Sequence, residues 1–139
     1  MMKKLLIICF IFLASCNSKV DKSQLLLLNG YWEIKEVTFN DGAKKEYSIN
    51  STVDYIQLDS LKGFRKKVNP KFNGTFETSN DAEPFQIRIS NDSIFMSYTN
   101  NSNTWEEVLT KLTKESFSVK NKEGLTYEYN RFEPINITP

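Results

Sequence analysis

The sequence predicts an all-β fold class: a single antiparallel up-and-down β-barrel of eight or nine strands. Three observations predict it. From Tyr31 onward, short runs alternate apolar and polar residues, the period of a half-buried strand. Turn signals separate these runs closely enough to join neighbours locally, as in sandwiches and barrels. No strong amphipathic helix stands between them. Aromatic residues make up 13% of the chain, with ten Phe and six Tyr, a supply suited to strands and apolar pockets. Closing the sheet also removes exposed edges.

The elements follow in order. Gln24 to Asn29 holds four consecutive leucines and is followed by Gly30. This reads as one helical turn packed on the domain and ended by Asn29-Gly30. Tyr31 to Phe39 sets Trp32 and Ile34 on one face, then Val37 and Phe39 one step out of register, which predicts a bulge near Glu36. Asn40-Asp41-Gly42 is a turn. Val53 to Asp59 and Gly63 to Val68 are the next two strands, and Pro70 bars regular pairing at its own position. Phe72 to Thr78, with Gly74 inside, is a weaker strand. Phe85, Ile87 and Ile89 share a face, Asn91-Asp92 turns the chain, and Ile94, Met96 and Tyr98 repeat the pattern. After a polar loop at Asn100–Asn103, Trp105 to Leu112 sets Val108 and Leu112 on the face opposite Trp105 and Leu109. Phe117 and Val119 lead to the turn Lys122-Glu123-Gly124, and Leu125, Tyr127 and Tyr129 run up to Arg131.

Ahead of this domain, Lys3 and Lys4 precede an apolar run from Leu5 to Ala14, then Ser15 and Cys16. Basic residues, a short apolar stretch and small residues describe a secretory signal; a membrane span needs about twenty apolar residues. The tetrad Leu13-Ala14-Ser15-Cys16 resembles the lipobox of bacterial lipoproteins. The resemblance implies a cut before Cys16 and lipid on its sulfur. The expected organisation is residues 1–15 as signal peptide, 16–24 as lipidated Cys16 and polar tether, and 25–139 as the barrel. Eight tether residues reach less than about 30 Å, so the domain is expected to work close to its bilayer.

Composition narrows the chemistry. Loss of Lys3 and Lys4 with the signal leaves the 18 Lys+Arg and 17 Asp+Glu of the whole chain near a net charge of −1. No large field steers nucleic acid, and none is expected as a partner. Cys9 and Cys16 are the two cysteines; with one cut away and one lipidated, packing alone must hold the domain. The chain has no histidine, which removes the usual base for a Ser or Cys nucleophile and the nitrogen ligands of zinc or copper. Glu106 and Glu107 point to opposite faces of a regular strand, and Asp81 with Glu83 reads as a solvated loop. No catalytic residue, metal or cofactor is expected.

Gly30-Tyr31-Trp32, opening the first strand, resembles the G-x-W signature of lipocalins. Tyr127-Glu128-Tyr129-Asn130-Arg131-Phe132 resembles their last strand, whose arginine packs across that tryptophan. With the lipobox-like tetrad, the chain resembles lipocalin-like lipoproteins of the Bacteroidota type. The T-D-x-x-Y motif and a long helix before the last strand are missing. The resemblance implies that Trp32 and Arg131 plug the closed end of the barrel, where a guanidinium on an indole is worth about 0.5–2 kcal/mol.

Two groups remain. Phe64-Arg65-Lys66-Lys67-Val68, with Lys71, is a basic cluster read as a solvated strand face. The alternating aromatics Phe76, Phe85, Tyr98, Trp105, Tyr127 and Tyr129 are candidate lining of a ligand cavity, and side chains can equally fill a barrel of about eight strands. The expected protein is a monomeric, non-catalytic lipoprotein of the cell envelope, at the outer membrane, anchored through Cys16 and binding a small apolar or amphipathic molecule. The alternative is a protein-interaction or envelope-maintenance lipoprotein with a filled core. A cavity of about 300 Å³ or more favours the binder.

Overall fold

The first and last barrel strands pair with each other, and that pairing defines the architecture. A computed structural model of the chain describes residues 20–48, 50–78 and 81–133. The expectations for residues 1–15, the lipobox-like tetrad and Cys16 lie outside the described residues. The strands are β1 (Gly30–Thr38), β2 (Lys44–Glu46), β3 (Val53–Asp59), β4 (Lys62–Pro70), β5 (Phe76–Thr78), β6 (Glu83–Ser90), β7 (Ser93–Asn100), β8 (Asn103–Leu112), β9 (Ser116–Lys120) and β10 (Thr126–Arg131). β1, β3, β4, β6, β7, β8, β9 and β10 pair antiparallel in that order, and β10 returns to β1. The result is a closed eight-stranded up-and-down barrel. β2 hangs on β1 and β5 on β4.

A 3-10 helix, Lys22–Leu28, precedes the barrel and takes in the last three residues of the expected tether. Asp21 caps it by accepting from the Ser23 backbone at 2.9 Å. In a helix of three residues per turn, positions i and i+3 eclipse. Leu25 and Leu28 therefore share one buried side, while Leu26 points to solvent. Asn29 ties the end of the helix to β3: its Oδ1 accepts from the Leu58 backbone at 2.5 Å.

Two bulges set which side chains face the lumen. The register of β1 against β10 slips between Ile34 and Glu36, bringing Trp32, Ile34 and Val37 inward. A second slip, between Leu109 and Lys111 on β8, puts Leu109 and Leu112 together in the core. Regular alternation assigns Leu112 to the opposite face, so the sequence reading is corrected there: one extra residue reverses every parity beyond it. Three local corrections follow. Pro70 ends β4 in register with Phe76 rather than standing outside the strand. The strand expected from Phe72 shrinks to Phe76–Thr78, because Gly74, at φ 82°, turns the hairpin. The turn between β7 and β8 spans only residues 101–102, and the short polar strand β2 carries no apolar alternation.

The turns β3–β4, β6–β7 and β8–β9 lie at one end with the 3-10 helix, and the remaining loops lie at the other. Asn91 and Asp92 both take positive φ (49° and 64°), the backbone of the tight hairpin turn expected there. The half of the lumen beside the helix is filled by Leu28, Trp32, Ile56, Phe85, Met96 and Phe117, among others. Trp32 and Phe117 meet edge to face at 4.7 Å. No helix among the described residues is long and apolar enough to cross a membrane.

Candidate functional site

The closed end is built around Arg131. Register sets it opposite Trp32, and its guanidinium lies 4.1 Å over the indole. It donates to the backbone carbonyls of Leu27 (2.6 Å), Asn29 (2.9 Å) and Lys114 (2.6 Å). Trp32 donates from Nε1 to the Leu28 carbonyl at 2.8 Å. The carbonyls in the last turn of a helix lack partners within it, and these two side chains bond those of Leu27 and Leu28. Gly30 makes room: a Cβ there would stand 2.5 Å from an Arg131 nitrogen, and its φ of +128° disfavours any side chain. Trp32 and Arg131, the two residues read as a plug, sit together at this end.

Above the filled half, the inward rows change character. On β3 the row runs Leu58, Ile56, then Asp54; on β4 it runs Gly63, Arg65, Lys67. β8 supplies Glu107 and Trp105 opposite Met96 and Tyr98 of β7. Together they form a polar belt across the barrel with aromatic rings around it. Arg65 donates to Asp54 at 2.6 Å and to the Tyr98 hydroxyl at 3.4 Å. Its guanidinium lies 4.8 Å from the Tyr129 ring. Lys67 reaches the other Asp54 oxygen at 3.0 Å from a largely exposed position.

A buried charge is costly unless paired and hydrogen-bonded, and the belt meets that condition. Burial alone would raise the Asp54 carboxyl; Arg65 and Lys67 beside it outweigh burial and hold it below the ordinary carboxylate value. Burial raises Glu107 instead, against the partial opposition of Arg65. The Tyr98 hydroxyl is pushed up to about 12, chiefly by burial.

Over this belt opens a cavity of about 1190 Å³, walled by Tyr98, Trp105, Tyr127 and Tyr129, with Asp54, Arg65, Lys67 and Glu107 among its polar lining. Trp105 stacks on Tyr98 at 5.3 Å and 7°. Of the six aromatics proposed to line a cavity, those four do so. Phe85 is corrected: it lies in the filled half, 3% exposed, against Tyr98. Phe76 is corrected too. The β4–β5 hairpin carries it to the outer wall, stacked 4.1 Å from Tyr31, and Tyr31 points away from its core neighbour Trp32.

The basic cluster is not one solvated face. Strand alternation divides it: Arg65 and Lys67 turn inward to Asp54, and Phe64 and Lys66 turn outward. Asp54, Arg65, Lys67 and Glu107 are the site residues that the sequence reading missed. Parity carries a signal for them. Asp54 alternates with Ile56 and Leu58, so a carboxylate shares the apolar face of β3 and needs a buried partner.

No family model matches this sequence, and no curated protein does. Among solved structures, the chain is similar to the crystal structure of a lipocalin-like protein from Bacteroides uniformis ATCC 8492. The TM-score is 0.47 at 12% identity, and the match covers 76% of this chain and 99% of that one. The strand pairing itself establishes the architecture: a closed, eight-stranded antiparallel barrel with two added short strands.

Proposed function

We propose that the protein binds a small amphipathic molecule, without catalysis, in the open half of the barrel. One observation carries the reading: a cavity of about 1190 Å³ ends on a buried, paired guanidinium, Arg65. Ligand sites are mostly concave, with aromatic walls and a few fixed polar groups. Here Tyr98, Trp105, Tyr127 and Tyr129 offer the walls, and Arg65, Lys67 and Glu107 fix the polar end of the ligand. The apolar side chains below the belt are buried and packed together at the closed end, so the ligand enters and leaves by the mouth.

The lipobox-like tetrad supports anchoring in the cell envelope, at the outer membrane, through lipid on Cys16. Val20 packs against the apolar cluster beside the 3-10 helix, and the four chain steps back to Cys16 span less than about 15 Å. In this reading the closed end faces the bilayer and the mouth faces away from it.

The test is a fluorescence titration of the full chain with a polarity-sensitive fatty-acid probe, competed by a panel of lipids, haem and quinones. Saturable binding at about micromolar Kd, weakened about tenfold by Trp105→Ala through lost ring contact, supports the reading. No binding by any member of the panel rejects it in favour of an interaction protein.

A further inference from the structure

β8 stands taller than its neighbour on one side. Its pairing with β7 runs from Asn100↔Asn103 to Ile94↔Leu109, whereas its pairing with β9 begins only at Val108↔Lys120. Among the described residues, Asn103–Glu107 therefore pair on one edge alone. Strand geometry makes that free edge roughly 17 Å long, with main-chain donors and acceptors turned into the gap. The cavity runs out through it: Glu106 and Val108 of the outer face line it as well as Trp105 and Glu107 of the inner face.

Strand edges are commonly blocked by lysine, proline or a bulge. This edge has no lysine, proline or bulge of its own; its charges are Glu106, held by Arg88, and the inward Glu107. Its residues include the strand formers Thr104 and Trp105, and the β8 bulge lies lower, at Leu109–Lys111. At the foot of the gap, β9 turns into β10 and presents Lys120 and Lys122, both exposed. Neither makes an ion pair among the described residues; Glu123 adjoins them in the turn, and Glu106, the acid on the facing strand, is paired with Arg88.

We propose that this notch docks an extended peptide segment of another protein. The segment adds as a strand to Asn103–Glu107, points alternate side chains into the mouth beside Trp105 and Tyr127, and sets an acidic group over Lys120 and Lys122. Main-chain pairing supplies affinity in such a mode, and the pockets for alternate side chains supply specificity. The positive foot of the notch fixes which end of the segment lies there. A second copy of this chain fits less well. Pairing β8 to β8 sets either Asn103 over the lysines or Glu106 against its own counterpart, a like-charge pair that destabilises.

The test is selection of a phage-displayed random heptapeptide library on the full chain, then hydrogen exchange with the synthetic form of a selected peptide. The peptide should slow exchange at gap-facing amides of Asn103–Glu107 by about tenfold or more. N-methylation of every second peptide amide should weaken binding about tenfold, the loss of one or two main-chain hydrogen bonds, and methylation of the intervening amides should not. Lys120→Glu with Lys122→Glu should weaken it about fivefold. Unchanged exchange at Asn103–Glu107, no enrichment beyond that on an unrelated barrel, or indifference to the methylation pattern overturns the proposal. A concentration-dependent dimer that protects the same amides overturns it in favour of a second copy. Small-molecule binding in the cavity can fail while this edge still takes a strand, so the two readings are tested apart.

Discussion

Replacing Arg131 by alanine should weaken the whole domain although no residue of the cavity is touched. Its guanidinium holds three backbone carbonyls at 2.6–2.9 Å and lies 4.1 Å over Trp32. Hydrogen bonds to a charged donor are worth about 1.5–3 kcal/mol each when buried. Arg131 is only half-buried, and water replaces part of what is lost. The indole contact adds about 0.5–2 kcal/mol, and the stem of the side chain packs as well. A net loss of about 2–4 kcal/mol is expected. At about 3–5 °C per kcal/mol for a domain of this size, the melting temperature should fall by roughly 6–20 °C. Urea denaturation of the wild type, Arg131→Ala, Trp32→Phe and the double variant measures the coupling directly. Because both residues hold the end of the same 3-10 helix, the losses should fail to add by about 1 kcal/mol. Additivity within about 0.3 kcal/mol would refute the idea that they act as one plug.

Other outcomes follow from the same geometry. Gly30→Ala should cost about 1–3 kcal/mol, measured by thermal denaturation, because it adds a strained φ and displaces Arg131. Asp54→Ala should cost about 3–5 kcal/mol by urea denaturation, since it leaves the buried Arg65 without its ion-pair partner. Glu107 has a folded pKa above its unfolded one, so its ionisation opposes folding as pH rises between the two values. Glu107→Gln should therefore be more stable than wild type at pH 7, an advantage that vanishes below about pH 4. Asp54 has the opposite sign: its contribution is present at neutral pH and lost as pH falls through its lowered folded value. Cys16→Ser should move the protein out of the membrane fraction; retention there at high salt would contradict a lipid anchor.

Much of the barrel is legible in the sequence because strand period and turn chemistry are local properties. The row Ile94, Met96, Tyr98 and the turn Asn91-Asp92 need no knowledge of the rest of the fold. The bulge on β1 is readable from the slip between Ile34 and Val37. The one on β8 is not, because the polar Thr110-Lys111 pair gives no sign of which residue is extra. The candidate site is half legible. Tyr98, Trp105, Tyr127 and Tyr129 announce themselves by type and parity, but depth along the barrel axis is a global property. Phe85 and Tyr98 are paired neighbours on β6 and β7, both in the core cluster, yet of the two only Tyr98 borders the cavity. Phe76 leaves the lumen because Gly74 folds a hairpin over the outer wall. Parity marks Asp54 as needing a buried partner, but that the partner is Arg65 depends on the register of β3 against β4.

The central claim is that a ligand occupies the half of the barrel under the mouth while the other half is closed. The chain contains two tryptophans, Trp105 at the mouth and Trp32 at the plug. Their two indole N–H signals in a nitrogen-15 spectrum report on the two halves separately. On titration with a fatty acid that displaces the fluorescent probe, the Trp105 signal should shift to saturation and the Trp32 signal should stay in place. A shift of Trp32 with Trp105 unmoved, or no shift of either under saturating ligand, would contradict the account.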